Sequence, residues 1–152
     1  MAYRMASQEA VRAMADAIIF GPQRFIDRTF DDALSLLEEV RSYILYEERS
    51  DRMDLPPAAR VRQSLEATRM TARLTNVMAW LLLQKAAAAG EIEEQEPLKP
   101  ENRLGGREAC MDDAGVEDPD LPDRMRELLD RSHRMYVRVA RLDDMMQGEK
   151  VA

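Results

Sequence analysis

The sequence predicts an all-α protein: an antiparallel three-helix bundle with a short N-terminal helix and a long acidic loop before the last helix. Apolar residues recur at steps of three and four over three long segments, which is the helical period. Glycine and proline are scarce, with 6 and 7 among 152 residues. With 45% apolar and 34% charged residues, a chain of this length is expected to fold as one domain.

The N-terminal segment, residues 1–22, is predicted to contain a short helix that docks on the bundle. An amphipathic pattern runs from Ser7 to Phe20, and Gly21-Pro22 is expected to break the helix. A terminal helix this short is marginal in water unless it docks. The expected anchors are three apolar residues at its end: Ile18, Ile19 and Phe20.

The bundle is predicted to span residues 23–148, with its first long helix over residues 23–49. Apolar residues recur at helical spacing along this helix: Phe30, Ala33, Leu34, Leu37, Val40, Ile44 and Leu45. A polar turn, residues 50–55, then leads to Pro56-Pro57. Because this connection is short, we expect the second helix to return antiparallel to the first.

The second helix, residues 57–89, is central to the prediction because two of its faces are apolar. The first face carries Val61, Leu65, Thr68, Ala72, Thr75, Ala79, Leu82 and Ala86. The second face carries Met70, Leu74, Val77, Met78 and Leu81. One neighbouring element covers a stripe of about 100°, so we expect this helix to contact at least two neighbours. Gly90 is expected to end it.

The remaining stripe of the second helix is polar apart from one tryptophan. We predict a protein-interface patch there, made of Arg69, Arg73, Trp80 and Gln84, because tryptophan and arginine are over-represented in interface hot spots. This patch meets either a second subunit or another protein. The alternative interpretation is that a loop or the N-terminal segment folds over Trp80, and the sequence leaves both open.

Residues 90–119 are predicted to form a flexible acidic connector. From Glu91 to Asp120 there are 11 acidic and 3 basic residues, a net charge of −8 in a chain whose net charge is −7. The rest of the chain is near neutral, which argues against binding to nucleic acid or to a membrane. The last helix is predicted over residues 122–147, and Pro122 suits its first turn.

No arrangement of catalytic or metal-binding residues is evident, so we predict no enzyme activity, no cofactor and no metal. His133 and Cys110 are the single histidine and cysteine, whereas a zinc site needs several such ligands. The acidic surroundings of Cys110 are expected to raise the pKa of its thiol. Leu104-Gly105-Gly106-Arg107 follows no strand and does not fit a phosphate loop. With one cysteine and no membrane-length apolar segment, we expect a soluble, cytoplasmic protein.

Three segments of the chain resemble one known family. The strongest is the run Glu66-Ala67-Thr68-Arg69-Met70-Thr71-Ala72-Arg73-Leu74-Thr75, which continues through residues 80–85 to Gly90-Glu91-Ile92. Residues 25–43 of the first helix and residues 136–143 of the last fit the same pattern. These segments resemble the RcdA-type proteins, alphaproteobacterial regulators of CtrA degradation that are also catalogued as a family of unknown function.

The resemblance implies a three-helix bundle that forms a homodimer and has no catalytic residue. It also implies an adaptor that helps deliver cell-cycle regulators to the ClpXP protease, together with a response-regulator-like partner, and that is recruited to a cell pole. Pro97 and Pro100 depart from the family pattern, since they interrupt any helical continuation after Gly90. Two other functions stay open: a structural dimer or bundle that binds a small apolar ligand, and a DNA-associated regulator, which requires a basic face.

Overall fold

The computed structural model describes the backbone of residues 2–148 and the side chains of residues 23–148. Within this part of the chain there are helices and turns but no strand, so the predicted all-α class is confirmed. The α-helices are α1 (Ala2–Tyr46), α2 (Glu48–Met53), α3 (Pro57–Ala88), α4 (Arg107–Cys110) and α5 (Asp123–Met146). Short 3₁₀ turns lie at Glu96–Leu98, Pro100–Asn102 and Ala114–Glu117.

The bounds of α3 and α5 agree with the predicted helices to within one residue at each end. Pro57 occupies the first turn of α3, where a missing backbone N–H is tolerated. Gly90 has φ of +74°, and the N–H of Glu91 donates to the carbonyl of Ala86 at 3.0 Å. Glycine adopts this left-handed conformation without steric cost, and it closes the last turn of the helix.

The α1 helix corrects the predicted break in the N-terminal segment. It runs without interruption from Ala2 to Tyr46, through Gly21-Pro22. A proline inside a helix removes one backbone hydrogen bond and bends the helix axis, but strong helix formers on both sides allow the helix to continue. The predicted docking of residues 1–22 through Ile18, Ile19 and Phe20 concerns side chains outside the described residues.

The three long helices do not all alternate in direction. Lys85 near the end of α3 contacts Asp27 of α1 at 3.1 Å, and Arg131 and Arg138 of α5 contact Glu39 and Asp32 of α1 in descending order. The α1 helix is therefore antiparallel to both other helices. The short connection predicted this orientation for α3, whereas the predicted antiparallel bundle would place α5 parallel to α1.

The α3 and α5 helices run parallel to each other, which the predicted antiparallel arrangement did not include. Arg73 of α3 contacts Leu129 of α5, and Trp80, further along α3, contacts Asp143, further along α5. A parallel pair needs a connection that returns along the length of the bundle. The segment between the two helices provides this crossover.

The core fills the space between the three long helices. The second apolar face of α3 is buried except for Met78, which is half-buried, and α1 and α5 supply the facing side chains. Completely or almost completely buried apolar residues include Ala33, Val40, Tyr43, Met70, Leu74, Val77, Leu81, Met125, Leu128, Leu129, Tyr136 and Val139. On α1, Leu34 and Leu45 are exposed, while Leu36 and Tyr43 take the core positions.

The connector, residues 90–119, packs on the bundle and is not the flexible, solvated loop that its composition predicted. Pro97, Leu104, Cys110 and Gly115 are buried along it. Most of its acidic side chains are exposed to solvent. The acidic composition therefore reflects the exposed side of the connector and does not reveal the apolar residues that pack on the bundle. A crossover of this length is held by a few apolar anchors and by hydrogen bonds to the helices that it covers.

Candidate functional site

Arg73, one of the residues predicted for an exposed interface patch, is completely buried between α3, α5 and the connector. Its Nε donates to the carbonyl of Cys110 at 2.9 Å, and its Nη2 donates to the carbonyl of Asp112. Its Nη1 donates to the carbonyl of Leu129 at 3.2 Å and to Oγ of Ser132 at 3.1 Å. Burial lowers the pKa of the guanidinium, but these acceptors replace the water that the charge has lost.

Asp143 of α5 is the second anchor of the connector, and it is 1% exposed. Its Oδ1 accepts from Nε1 of Trp80 at 3.0 Å. Its Oδ2 accepts from Nη2 of Arg107 at 2.8 Å, from Nε of Arg103 at 3.2 Å and from the backbone N–H of Leu104 at 3.3 Å. We call these five residues the Asp143 cluster. They join α3, α5 and the connector through one carboxylate.

The predicted patch is therefore mostly internal. Trp80 is 3% exposed, Gln84 is also buried, and Arg69 is half-buried against Glu66. Of the two interpretations of Trp80, the structure supports a loop that folds over it, because the connector supplies that loop. The role of these four residues in binding another protein stays a prediction, and direct contact with Arg73 or Trp80 requires the connector to move away.

The Gly105-Gly106 pair allows the connector to approach α3 closely. A Cβ atom at Gly105 would lie 2.9 Å from Oδ1 of Asn76, and one at Gly106 would lie 2.8 Å from Nδ2 of the same side chain. Gly106 also has φ of +75°, which disfavours other residues. The hydroxyl of Tyr136 donates to the carbonyl of Gly105 at 2.5 Å, and burial raises the pKa of this tyrosine to about 12. The two glycines therefore allow the connector backbone to pack directly against Asn76 of α3.

Three residues of the Asp143 cluster were not identified from the sequence: Arg103, Arg107 and Asp143. One signal was present, because the connector has 3 basic residues and two of them, Arg103 and Arg107, are four positions apart. Two isolated arginines in an acidic segment indicate a buried or shared carboxylate partner. The position of that partner on α5 depends on the crossover and is not visible in the sequence.

The first apolar face of α3 is uncovered in the folded chain. We call it the outer face, made of residues that are all uncharged and are exposed or half-exposed: Val61, Ser64, Leu65, Thr68, Ala72, Thr75, Ala79, Leu82, Leu83 and Ala86. Val61 is 71% exposed, and Leu65 and Leu82 are each more than half exposed. The outer face extends for about 37 Å along the helix. A contiguous apolar stripe of this kind indicates a surface that contacts another molecule.

The threonines make the outer face more apolar than its composition suggests. The hydroxyl of Thr68 donates to the carbonyl of Ser64 at 3.0 Å, and that of Thr75 donates to the carbonyl of Thr71 at 2.9 Å. Because each hydroxyl is satisfied within its own helix, covering these side chains with another molecule leaves no donor without an acceptor.

The two ends of α3 differ in charge. Near its start, Arg49, Arg52, Arg60 and Glu48 line a groove, and their net charge is +2. Beyond its end, Glu91, Glu93 and Glu94 are exposed. The outer face is therefore an uncharged strip between this groove and an acidic end.

The described residues hold no group of three or more histidine, cysteine, aspartate or glutamate side chains arranged to bind a metal ion. Cys110 is buried, and burial raises the pKa of its thiol. His133 places Nε2 3.0 Å from the carbonyl of Met111, so it contacts the connector. Among the described helices, none is long and apolar enough to cross a lipid bilayer.

Taken together, the fold and surface define a small all-α bundle protein in which a packed crossover leaves one uncharged helix face uncovered. Residues 20–152 match the family described as "Protein of unknown function (DUF1465)". The chain belongs to this family, the RcdA-type family that the resemblance indicated, and its members are regulatory proteins.

A solved structure supports the same assignment. The crystal structure of RcdA from Caulobacter crescentus CB15 is 31% identical in sequence, with a TM-score of 0.66. The match covers 82% of this chain and 92% of the RcdA chain. No curated protein matches the chain in sequence.

Proposed function

We propose that this protein is a non-enzymatic regulatory adaptor that binds other proteins and helps deliver cell-cycle regulators to the ClpXP protease. The observation that carries the proposal is the match to RcdA, which extends over 92% of the RcdA chain. The uncovered outer face of α3 gives the protein a surface on which a second copy can pack. An adaptor acts by bringing two proteins together, so it needs surfaces and no reacting group.

Reconstituted proteolysis tests this proposal. Purified ClpX, ClpP and a client regulator such as CtrA are combined with the response-regulator-like partner and ATP, and loss of the client is followed on gels. We expect the client half-life to fall severalfold when this protein is added. The hydrolysis rate of a small peptide by ClpP should stay unchanged, because an adaptor affects delivery. An unchanged client half-life with all components present would refute the adaptor role.

We further propose that the protein acts as a homodimer in which the outer faces of two α3 helices pack antiparallel. A twofold axis near Ala72 places Val61 of each copy near Leu83 of the other, and Leu65 near Ala79. The small central residues then allow the two helix axes to come close, within the 8–10 Å typical of packed helices. An isologous contact of this kind opposes no like charges along its length, because the outer face is uncharged.

The charges at the ends of α3 favour the antiparallel orientation over the parallel one. In the antiparallel pair the arginine-rich end of one copy, which includes Arg49 and Arg60, lies beside the end of the other copy that carries Glu91 and Glu94. In a parallel pair the exposed glutamates Glu91 and Glu94 of the two copies would lie beside one another. Complementary charges of this kind select the orientation of an interface more than they strengthen it.

Changing Ala72 to glutamate is expected to convert the dimer to a monomer. The twofold axis would bring two buried carboxylates together at the centre of the contact, which is strongly unfavourable. Sedimentation equilibrium measures the change in mass. Far-UV circular dichroism checks that the variant still folds, because Ala72 is half-buried and packs at the edge of the core. Ser42→Glu, at an exposed position of α1, is the matched control and should remain dimeric. A dimer that survives Ala72→Glu would place the contact elsewhere.

A further inference from the structure

A groove between α1 and α5 is lined by three arginines, although the chain as a whole is acidic. It has a volume of about 440 Å³ and lies over the buried side chains of Leu36 and Met135. The charged residues that line it carry a net charge of +2: Arg131, Arg134, Arg138 and Asp32. Two further carboxylates, those of Glu39 and Asp130, lie outside the lining and pair with Arg131 and Arg134. No part of α3 lines this groove, so it is separate from the outer face.

Arg131 is fixed in place by Glu39 of α1. Its Nη1 donates to Oε1 of Glu39 at 2.9 Å, and its Nη2 donates to Oε2. This bidentate pair holds the pKa of Glu39 below its usual range and sets the orientation of the guanidinium. Arg131 therefore forms part of the groove wall, and its Nη1 and Nη2 groups both donate hydrogen bonds within the bundle.

Arg134 and Arg138 are held much more loosely. Arg134 is 69% exposed in its side chain and pairs at 2.7 Å with Asp130, one turn away on the same helix. Arg138 lies 3.8 Å from Asp32, well beyond the 2.7–2.9 Å of a charge-assisted hydrogen bond. Exposed pairs of this type contribute little to the stability of the fold. A ligand carboxylate can replace them at little cost.

We propose that this groove binds an acidic segment of a partner protein, with carboxylates seated on Arg134 and Arg138. The two residues are four positions apart on α5, which spaces them by about 6 Å along the helix. Alternate side chains of an extended peptide lie about 6.6 Å apart on one side. An extended segment with an acidic residue at every second position therefore matches both guanidinium groups. The apolar floor strengthens these interactions by keeping water away from one side.

The charges around the groove favour a peptide over nucleic acid. The three lining arginines span about 10 Å of helix, and carboxylates of Asp32 and Glu39 lie directly beside them. A phosphate backbone presents a longer and denser row of negative charge, and it requires a continuous basic face without interleaved carboxylates.

Fluorescence anisotropy with the full-length protein tests this proposal. The probe is a fluorescein-labelled peptide of alternating glutamate and serine, compared with a peptide in which glutamine replaces glutamate. We expect the doubly substituted Arg134→Glu, Arg138→Glu protein to bind the acidic probe roughly tenfold or more weakly than the original protein. Arg134→Gln, Arg138→Gln should weaken binding in the same direction, and circular dichroism confirms that both variants fold.

The control variant carries the same change in net charge at another place. Arg24→Glu, Arg41→Glu alters two exposed arginines outside the groove and should bind within about twofold of the original protein. Equal losses in the two charge-reversed variants would overturn the proposal, because they would show a response to net charge alone. Equal binding of the glutamine peptide, or tighter binding of a labelled single-stranded DNA, would also overturn it. The assay contains no protease or client, so its result is independent of the proposed adaptor role.

Discussion

Replacing Arg73 with alanine is expected to lower the free energy of unfolding by about 3 kcal/mol or more. The change leaves a cavity in the centre of the bundle and removes the donors for the carbonyls of Cys110 and Asp112. Both the connector and the parallel packing of α3 on α5 lose their central support. Urea unfolding followed by circular dichroism at 222 nm measures the shift in midpoint at constant slope.

Two further variants separate the causes of this loss. Arg73→Lys keeps the charge but cannot reach carbonyls in three directions, so it should recover less than half of the lost stability. Arg41→Ala removes an exposed arginine and should change the free energy of unfolding by less than about 0.5 kcal/mol. If Arg73→Ala resembles Arg41→Ala, the guanidinium does not hold the connector in solution.

Replacing Asp143 with asparagine is expected to lower the free energy of unfolding by about 2–3 kcal/mol. We also expect the connector to pack less tightly over Trp80. Asparagine has the same size, but its amide turns an N–H₂ group toward Arg107 and the N–H of Leu104, which also donate. Trp80 is the single tryptophan, so its fluorescence reports on this site alone. We expect its emission to shift to longer wavelength and its quenching by acrylamide to increase.

Asp144→Asn is the matched control for Asp143. Asp144 also accepts from Arg103 and Arg107, but it is partly exposed and does not contact the tryptophan. Its replacement should lower the free energy of unfolding by no more than about 1 kcal/mol and leave the fluorescence of Trp80 unchanged. Equal effects of the two substitutions would show that the arginines, and not the buried carboxylate, determine where the connector lies.

The helices and the core face of α3 were predictable because both depend on local pattern. Met70, Leu74, Val77 and Leu81 follow the helical period and are buried as that period predicts. The α3 helix starts at Pro57 because proline suits the first turn, and it ends before Gly90 because glycine adopts a positive φ without steric cost. No tertiary information was needed for either result.

The positions of the polar stripe and the outer face of α3 were not predictable in the same way. A helical wheel shows two apolar faces and one polar stripe, but it does not show which of the three meets the connector. Arg73 and Trp80 point inward because backbone carbonyls of the connector and the carboxylate of Asp143 require donors there. These acceptors lie beside α3 only after the connector has packed on the bundle, so a helical wheel of α3 does not show them.

The parallel arrangement of α3 and α5 affects how the chain folds. The antiparallel helices α1 and α3 can pack progressively, starting from their short connection. There Arg52 donates a hydrogen bond to Gln63, only 11 residues away in the sequence. The side-chain hydrogen bonds from Arg62, Arg73 and Trp80 to the segment that contains α5 all span 56 to 63 residues, so none of them forms near a turn. Docking of α5 on α3 therefore requires the closure of a long loop, and this step should slow the folding of the whole protein.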